Sequence, residues 1–164
     1  MSGENTIDTG VITLRMRALS PGVAQKILLV DDDELARTLL SDRLQSRGLD
    51  VAQAGDGSQA MKLLEEQPFP VLLVDWSMPV MNGIELTRAV RARGMQDTYV
   101  IMLTARDEAF DYEQGYDAGV DDYLTKRVRD VELLARVHAA LTTYSLRREL
   151  RETRAELAAL RAKK

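Results

Sequence analysis

The chain of 164 residues contains no cysteine. That excludes a disulfide scaffold, a thiolate zinc site and a cysteine nucleophile. Its single histidine, His138, excludes multi-histidine metal sites and leaves any Ser-His-Asp triad resting on one residue. Aromatic residues make up only 5% of the chain, so the core should be aliphatic. No apolar run approaches the roughly 18 residues of a membrane-spanning helix. Met1–Gln25 lacks the charged-then-apolar order of a secretory signal. A cytoplasmic protein without membrane contact is the expectation. Carboxylates, lysines and hydroxyls remain for chemistry, a set suited to hard cations and phosphate.

The charge is unevenly spread. The whole chain carries −4, but residues 25–141 hold 13 basic and 21 acidic side chains, whereas residues 142–164 hold 7 and 3. An acidic body therefore continues into a basic tail. The short tail shows no helix-turn-helix pattern, and its charges fit a helical repeat, so nucleic acid is not an expected partner.

Residues 1–25 are weakly patterned and read as a flexible extension, with Val11–Met16 as a short strand candidate before the Ser20-Pro21-Gly22 breaker. From Lys26 the pattern changes. Ile27–Val30, Val71–Val74 and Val100–Leu103 are continuous apolar runs, as in strands buried on both faces. Leu49–Gln53 and Tyr123–Thr125 are weaker strands. Helical stretches alternate with them: Leu35–Arg47 with a stripe of Leu35, Leu39, Leu40 and Leu44, then Ser58–Glu66, Gly83–Arg93 and Phe110–Asp117. Five strand–helix alternations with short loops predict an α/β fold, a doubly wound parallel five-stranded sheet of (βα)5 type, flavodoxin-like, over residues 26–142.

The last helix starts near Arg129 or Asp130 and meets no breaker before Lys164. Its stripe changes phase. Leu134, Val137, Leu141 and Tyr144 form one set, and Leu146, Leu150, Thr153, Leu157 and Leu160 form another, two positions out of step. Two residues turn an α-helix by about 200°, so residues 143–164 should face something other than the body. With Leu150 and Leu157 at heptad position a, Glu149 and Glu156 fall at g and Arg154 and Arg161 at e. Both g–e pairs are opposite in sign, as a parallel homodimeric coiled coil requires. The chain ends inside this helix without a cap, which fits an effector domain lying beyond it.

In a parallel α/β sheet the ligand crevice lies at the carboxyl ends of the strands. There the sequence puts Asp31 and Asp32, Asp75, Thr104 and Lys126, each set after its own strand. Crowded carboxylates repel, and some should be pushed toward protonation. With oxygen ligands only, Mg²⁺ is the natural cation. A metal, an ammonium and a hydroxyl around a carboxylate suit a phosphoryl group. Asp33 reads as a helix cap and His138 as structural.

Lys26–Asp33 (KILLVDDD), Val71–Gly83 (VLLVDWSMPVMNG), Val100–Ala105 (VIMLTA) and Ala118–Lys126 (AGVDDYLTK) together resemble the receiver domain of two-component response regulators over residues 25–142. The resemblance implies that Asp75 accepts a phosphoryl group from a sensor histidine kinase or phosphotransfer protein. It implies that Asp32, Asp75 and the backbone carbonyl of Ser77 bind Mg²⁺, with Asp31 acting through a metal-bound water. Lys126 would pair with the phosphoryl group, Thr104 would swing to it, and Tyr123 would turn inward. Ser77 and Arg106 match positions that tune hydrolysis. The family usually has Lys-Pro with a cis bond, but here Lys126 is followed by Arg127 and Val128. Without proline the cis form costs about 3–4 kcal/mol, so a trans bond is expected.

Two other readings remain open on the residues. One is a dimerising module that never uses phosphate. The other is a haloacid dehalogenase-type phosphatase built on Asp31-x-Asp33, with Thr104, Lys126 and Asp121-Asp122 as its later motifs. The second leaves the Met78-Pro79 to Gly83 run unexplained.

Overall fold

The computed structural model describes residues 25–105 and 112–162. Residues 1–24, with the Val11–Met16 strand candidate, lie outside that range, as do Arg106, Phe110 and the last two lysines. Ten elements alternate: β1 (Lys26–Val30), α1 (Glu34–Gln45), β2 (Asp50–Ala54), α2 (Gly57–Glu66), β3 (Val71–Asp75), α3 (Gly83–Ala92), β4 (Tyr99–Thr104), α4 (Tyr112–Ala118), β5 (Asp122–Thr125) and α5 (Asp130–Ala162). The strands form one parallel sheet in the order β2-β1-β3-β4-β5. The predicted fold class is the one found.

The continuous apolar runs follow from burial on both faces. Ile27, Leu29, Leu73, Ile101 and Leu103 pack with Leu40 and Leu44 of α1 and with Leu133, Val137 and Leu141 of α5. Their neighbours Leu28, Val30, Leu72, Val74, Val100 and Met102 pack on the other face with Met61 and Leu64 of α2 and Ile84, Leu86 and Val90 of α3. Successive residues point to opposite faces, so a strand covered on both sides must be apolar throughout.

Caps fix where helices begin beside the site. Asp33 caps α1 by accepting from the Ala36 amide at 3.0 Å, as expected of it. Asn82 and Glu85 form a reciprocal capping box at the start of α3, at 2.9 Å in each direction.

Two expectations need correction. In α1 only Leu40 and Leu44 of the proposed stripe are buried; Leu35 and Leu39 are 69% and 57% exposed. Helix α1 turns residues 40, 41 and 44 toward the sheet, with Ser41 buried and bonded to Gln53 at 3.0 Å. The second strand runs one residue later than expected, leaving Leu49 buried in the preceding turn. Helix α4 is described from Tyr112 to Ala118, and Phe110, where it was expected to start, lies outside the described residues.

Helix α5 has 33 residues and runs through positions 142–143 without a break. At 1.5 Å per residue it is about 50 Å long. Leu134, Val137, Leu141 and Tyr144 are buried against the body. Leu146, Leu150, Leu157 and Leu160 are 50–63% exposed. The phase shift in the sequence is thus a real change of environment. Body contacts nevertheless continue past Tyr144. Arg147 donates to Asp121 at 2.6 Å and stacks over Tyr99, and Arg151 pairs with Asp97 at 2.8 Å. These arginines hold one side of the helix to the starts of β4 and β5, and the leucine stripe is centred about a third of a turn round the helix from them. No helix among the described residues is long and apolar enough to cross a membrane.

Candidate functional site

The parallel sheet brings the carboxyl ends of β1, β3, β4 and β5 to one edge. Asp31 follows β1, Asp75 ends β3, Thr104 ends β4 and Lys126 follows β5. Asp31 and Asp75 are 1% and 4% exposed and Thr104 is 3% exposed. Asp32, one residue beyond Asp31, is open to solvent. Carboxylate oxygens of Asp31, Asp32 and Asp75 all lie within 4.8 Å of one another.

Lys126 binds two of these acids. Its Nζ stands 2.8 Å from Asp31 Oδ2 and 3.1 Å from Asp75 Oδ2. Asp31 is aimed by its own loop, since its Oδ1 accepts from the Asp33 amide at 2.9 Å. The Lys126 amide donates to the Thr104 carbonyl at 2.9 Å, tying the ends of β4 and β5 together. Thr104 is one residue past Leu103, the pairing partner of Asp75. Its hydroxyl donates to the Leu124 carbonyl over a long 3.4 Å. Ser77 lies in the loop after β3, where its amide bonds the Asp75 carboxylate.

The electrostatics follow from burial. Asp75 is pushed up from 3.8 to about 6, first by burial and then by the charge of Asp31, while Lys126 and the Ser77 amide pull the other way. Burial pulls the Lys126 ammonium down, but its bonds to Asp31 and Asp75 outweigh this and hold it above its ordinary value. Three carboxylates thus face one ammonium. The surplus negative charge and the all-oxygen donor set fit a hard divalent cation of the Mg²⁺ type.

Tyr123, on β5 and paired with Met102, is half-buried. Its ring meets Tyr116 edge-on, with centroids 5.4 Å apart at 78°. The hydroxyl end rests on Gly115, where a Cβ would clash with it. Gly83 is needed for a similar reason. A Cβ there would strike the Asp75 carbonyl oxygen and approach Met102 Sδ at 2.7 Å. Helix α3 can therefore begin directly beneath the acidic residue. His138 is half-buried on α5, with a buried Nε2 that has no hydrogen-bond partner among the described residues.

Some features of the edge had no local signal. Val80 sits at φ +67° in the loop after Asp75, fully exposed, inside a γ-turn closed by the Met81 amide on the Pro79 carbonyl at 2.7 Å. A β-branched residue there is strained by about 1–2 kcal/mol. Val80→Gly should relieve that strain, with part of the gain offset by unfolded-chain entropy. The expected net gain is about 1 kcal/mol in urea unfolding, and an unchanged or lower midpoint would count against the strain. Two arginines of α1 were also missed: Arg37, which donates to the Asp31 carbonyl at 2.6 Å, and Arg43, which reaches the loop after Lys126.

Comparison with known proteins agrees with this geometry. The family model described as "Response regulator receiver domain" matches residues 27–138. Transcriptional regulatory protein CpxR of Escherichia coli (strain K12) is 46% identical over 116 residues, covering 71% of this chain and 49% of that protein. The chain therefore spans about half the length of the curated relatives it matches. Among solved structures, the Francisella response regulator 1452 receiver domain is 34% identical with a TM-score of 0.64, covering 71% of this chain and 95% of its own. A probable two-component system response regulator/GGDEF domain protein is 27% identical with a TM-score of 0.73, covering 83% of this chain and 56% of its own. A five-stranded parallel sheet with its acids and lysine at one edge, matched by that family over most of its length, places this chain in the response regulator receiver family.

Proposed function

We propose that this receiver takes a phosphoryl group onto Asp75 from a sensor histidine kinase or phosphotransfer protein, and passes the change through α5 to a second copy of itself. The observation that carries the reading is the Lys126 ammonium bridging buried Asp31 and Asp75 at 2.8 and 3.1 Å. Asp75, with a pKa of about 6 in the metal-free chain, is largely ionised at neutral pH and so is available as a nucleophile. One of its oxygens attacks the phosphorus of a phosphohistidine. The new O–P bond forms as the P–N bond breaks, and the electron pair leaves with the donor imidazole. A bound Mg²⁺, held by Asp32, Asp75, the Ser77 carbonyl and, through water, Asp31, would neutralise charge on the phosphoryl oxygens.

Lys126 can turn from the Asp75 carboxylate to a phosphoryl oxygen with little movement. The Thr104 hydroxyl surrenders only a 3.4 Å bond when it turns to another. Tyr123, on the neighbouring strand, follows into the space left. The chemistry is confined to the chain's own acyl phosphate, without turnover of a separate substrate.

The phosphoryl group adds about −1.5 to −2 charge at this edge. Strands β4 and β5, which carry Thr104 and Tyr123, hold α5 at their other ends through Tyr99, Asp97 and Asp121. The exposed stripe of Leu146, Leu150, Thr153, Leu157 and Leu160, flanked by Glu149 with Arg154 and Glu156 with Arg161, fits a parallel second copy. Because the stripe is already bare, phosphorylation acts on the geometry of the pair rather than by uncovering it.

Intact mass after incubation with acetyl phosphate tests the reading. One phosphoryl group should be gained in Mg²⁺, and none in chelator or in Asp75→Asn. Equal labelling of Asp75→Asn would overturn it.

A further inference from the structure

Lys126 reaches two buried acids, yet the residue after it is Arg127, which leaves the local backbone free to turn. No cis peptide bond occurs among the described residues, so the Lys126–Arg127 bond is trans, as expected. The loop needs another source of rigidity, and two devices supply it. Val128 is 7% exposed and plugs the core beneath the loop, while its amide closes a turn on the Thr125 carbonyl at 3.0 Å. Arg43 does the rest from α1. Its terminal NH2 group donates to the Val128 carbonyl at 2.6 Å, and its Nε donates to Asp130 Oδ1, at the first residue of α5, at 2.7 Å. The same helix is capped by Asp33, whose amide aims Asp31. One rigid element therefore holds both partners of the 2.8 Å Asp31–Lys126 contact: Asp31 at its start and the Lys126 loop on its third turn. Arg43, Asp31 and Lys126 also line one cavity of about 360 Å³ with Ala36, Leu39 and Leu40.

We propose that Arg43 is a positioning residue for Lys126, bracing from α1 the loop that presents the ammonium to Asp75. The proposal rests on the phosphoacceptor reading for its effect on rate, but not for the bracing itself. Asp130 is half exposed, so its ion pair with Arg43 adds at most about 1 kcal/mol to stability. Loss of positioning can therefore be separated from loss of fold.

The test uses the full chain with Arg43→Ala and Arg43→Lys, and Arg93→Ala as control, since among the described residues Arg93 pairs with exposed Glu65. Three quantities are read: the rate of labelling by acetyl phosphate at saturating Mg²⁺, Mg²⁺ affinity from the fluorescence of Trp76, the one tryptophan, and hydrogen exchange over residues 126–130. Arg43→Ala should slow labelling about tenfold, leave Mg²⁺ affinity within about twofold because Lys126 is not a metal ligand, and speed exchange over 126–130. Arg43→Lys, with one donor left for the Val128 carbonyl, should recover part of both. Wild-type labelling and wild-type exchange in Arg43→Ala would overturn the proposal, as would equal losses in Arg93→Ala. If the parent chain takes no phosphoryl group, the phosphoacceptor reading fails. Exchange then decides alone: unchanged protection in Arg43→Ala overturns the brace, and lost protection upholds it.

Discussion

Asp75→Asn is expected to make the metal-free chain more stable at pH 7, by up to about 3 kcal/mol. Asp75 is 4% exposed, and its pKa rises from 3.8 to about 6, chiefly through burial and then through the charge of Asp31. Each unit is worth about 1.36 kcal/mol. The sign follows from proton binding. Between about pH 4 and 6 the folded chain holds a proton on Asp75 that the unfolded chain has lost. Raising the pH through that window therefore costs stability, and above it the penalty is complete. Asparagine has no charge to bury and can still accept from Lys126, which keeps Asp31 as its partner. Urea unfolding at pH 4 and pH 7 without Mg²⁺ checks this. The variant should gain on the parent as pH rises, and the gap should close in Mg²⁺, which stabilises the parent. A variant less stable than the parent at pH 7 would mean that the acidic cluster is not under electrostatic strain.

The second large effect concerns α5. Leu150→Lys with Leu157→Lys should convert a dimer into a monomer in sedimentation. Each buried leucine is worth about 1.5–3 kcal/mol, and four are lost per dimer. In the isolated chain these residues are 52% and 50% exposed, and the helix is held to the body by Tyr144, Arg147 and Arg151 instead. The variant should therefore keep its melting temperature and its labelling on Asp75. The parent should remain dimeric with and without a phosphoryl mimic, changing in shape rather than in mass. A monomer in both states, or a dimer that survives the double substitution, contradicts the coil.

The sheet and the acidic edge were legible because burial on both faces leaves little choice of residue. A run such as Val71–Val74 ending in Asp75 can hardly be anything but a central strand meeting its crevice. The phase shift in α5 was legible for a similar reason, since periodicity reports environment directly. Helix α1 was misjudged because a leucine stripe states only that a face is apolar. Leu35 and Leu39 lie on the open side, and Leu39 lines the cavity beside Asp31 and Lys126. The bracing contact of Arg43 was out of reach, since it joins residues 85 positions apart and an arginine on an exposed helix face has no distinctive pattern. The strain at Val80 was hidden because valine does not announce a positive φ. The same holds for Arg147, whose pairing with Asp121 depends on where α5 crosses the start of β5.

The site residue itself can be read chemically. The full chain is incubated with acetyl phosphate and Mg²⁺ and then reduced with borohydride, which converts an aspartyl phosphate to homoserine, and its peptides are sequenced by mass spectrometry. The account predicts homoserine at position 75 and at no other aspartate. Homoserine at Asp31 or Asp32, or phosphate retained on Thr104, would contradict it.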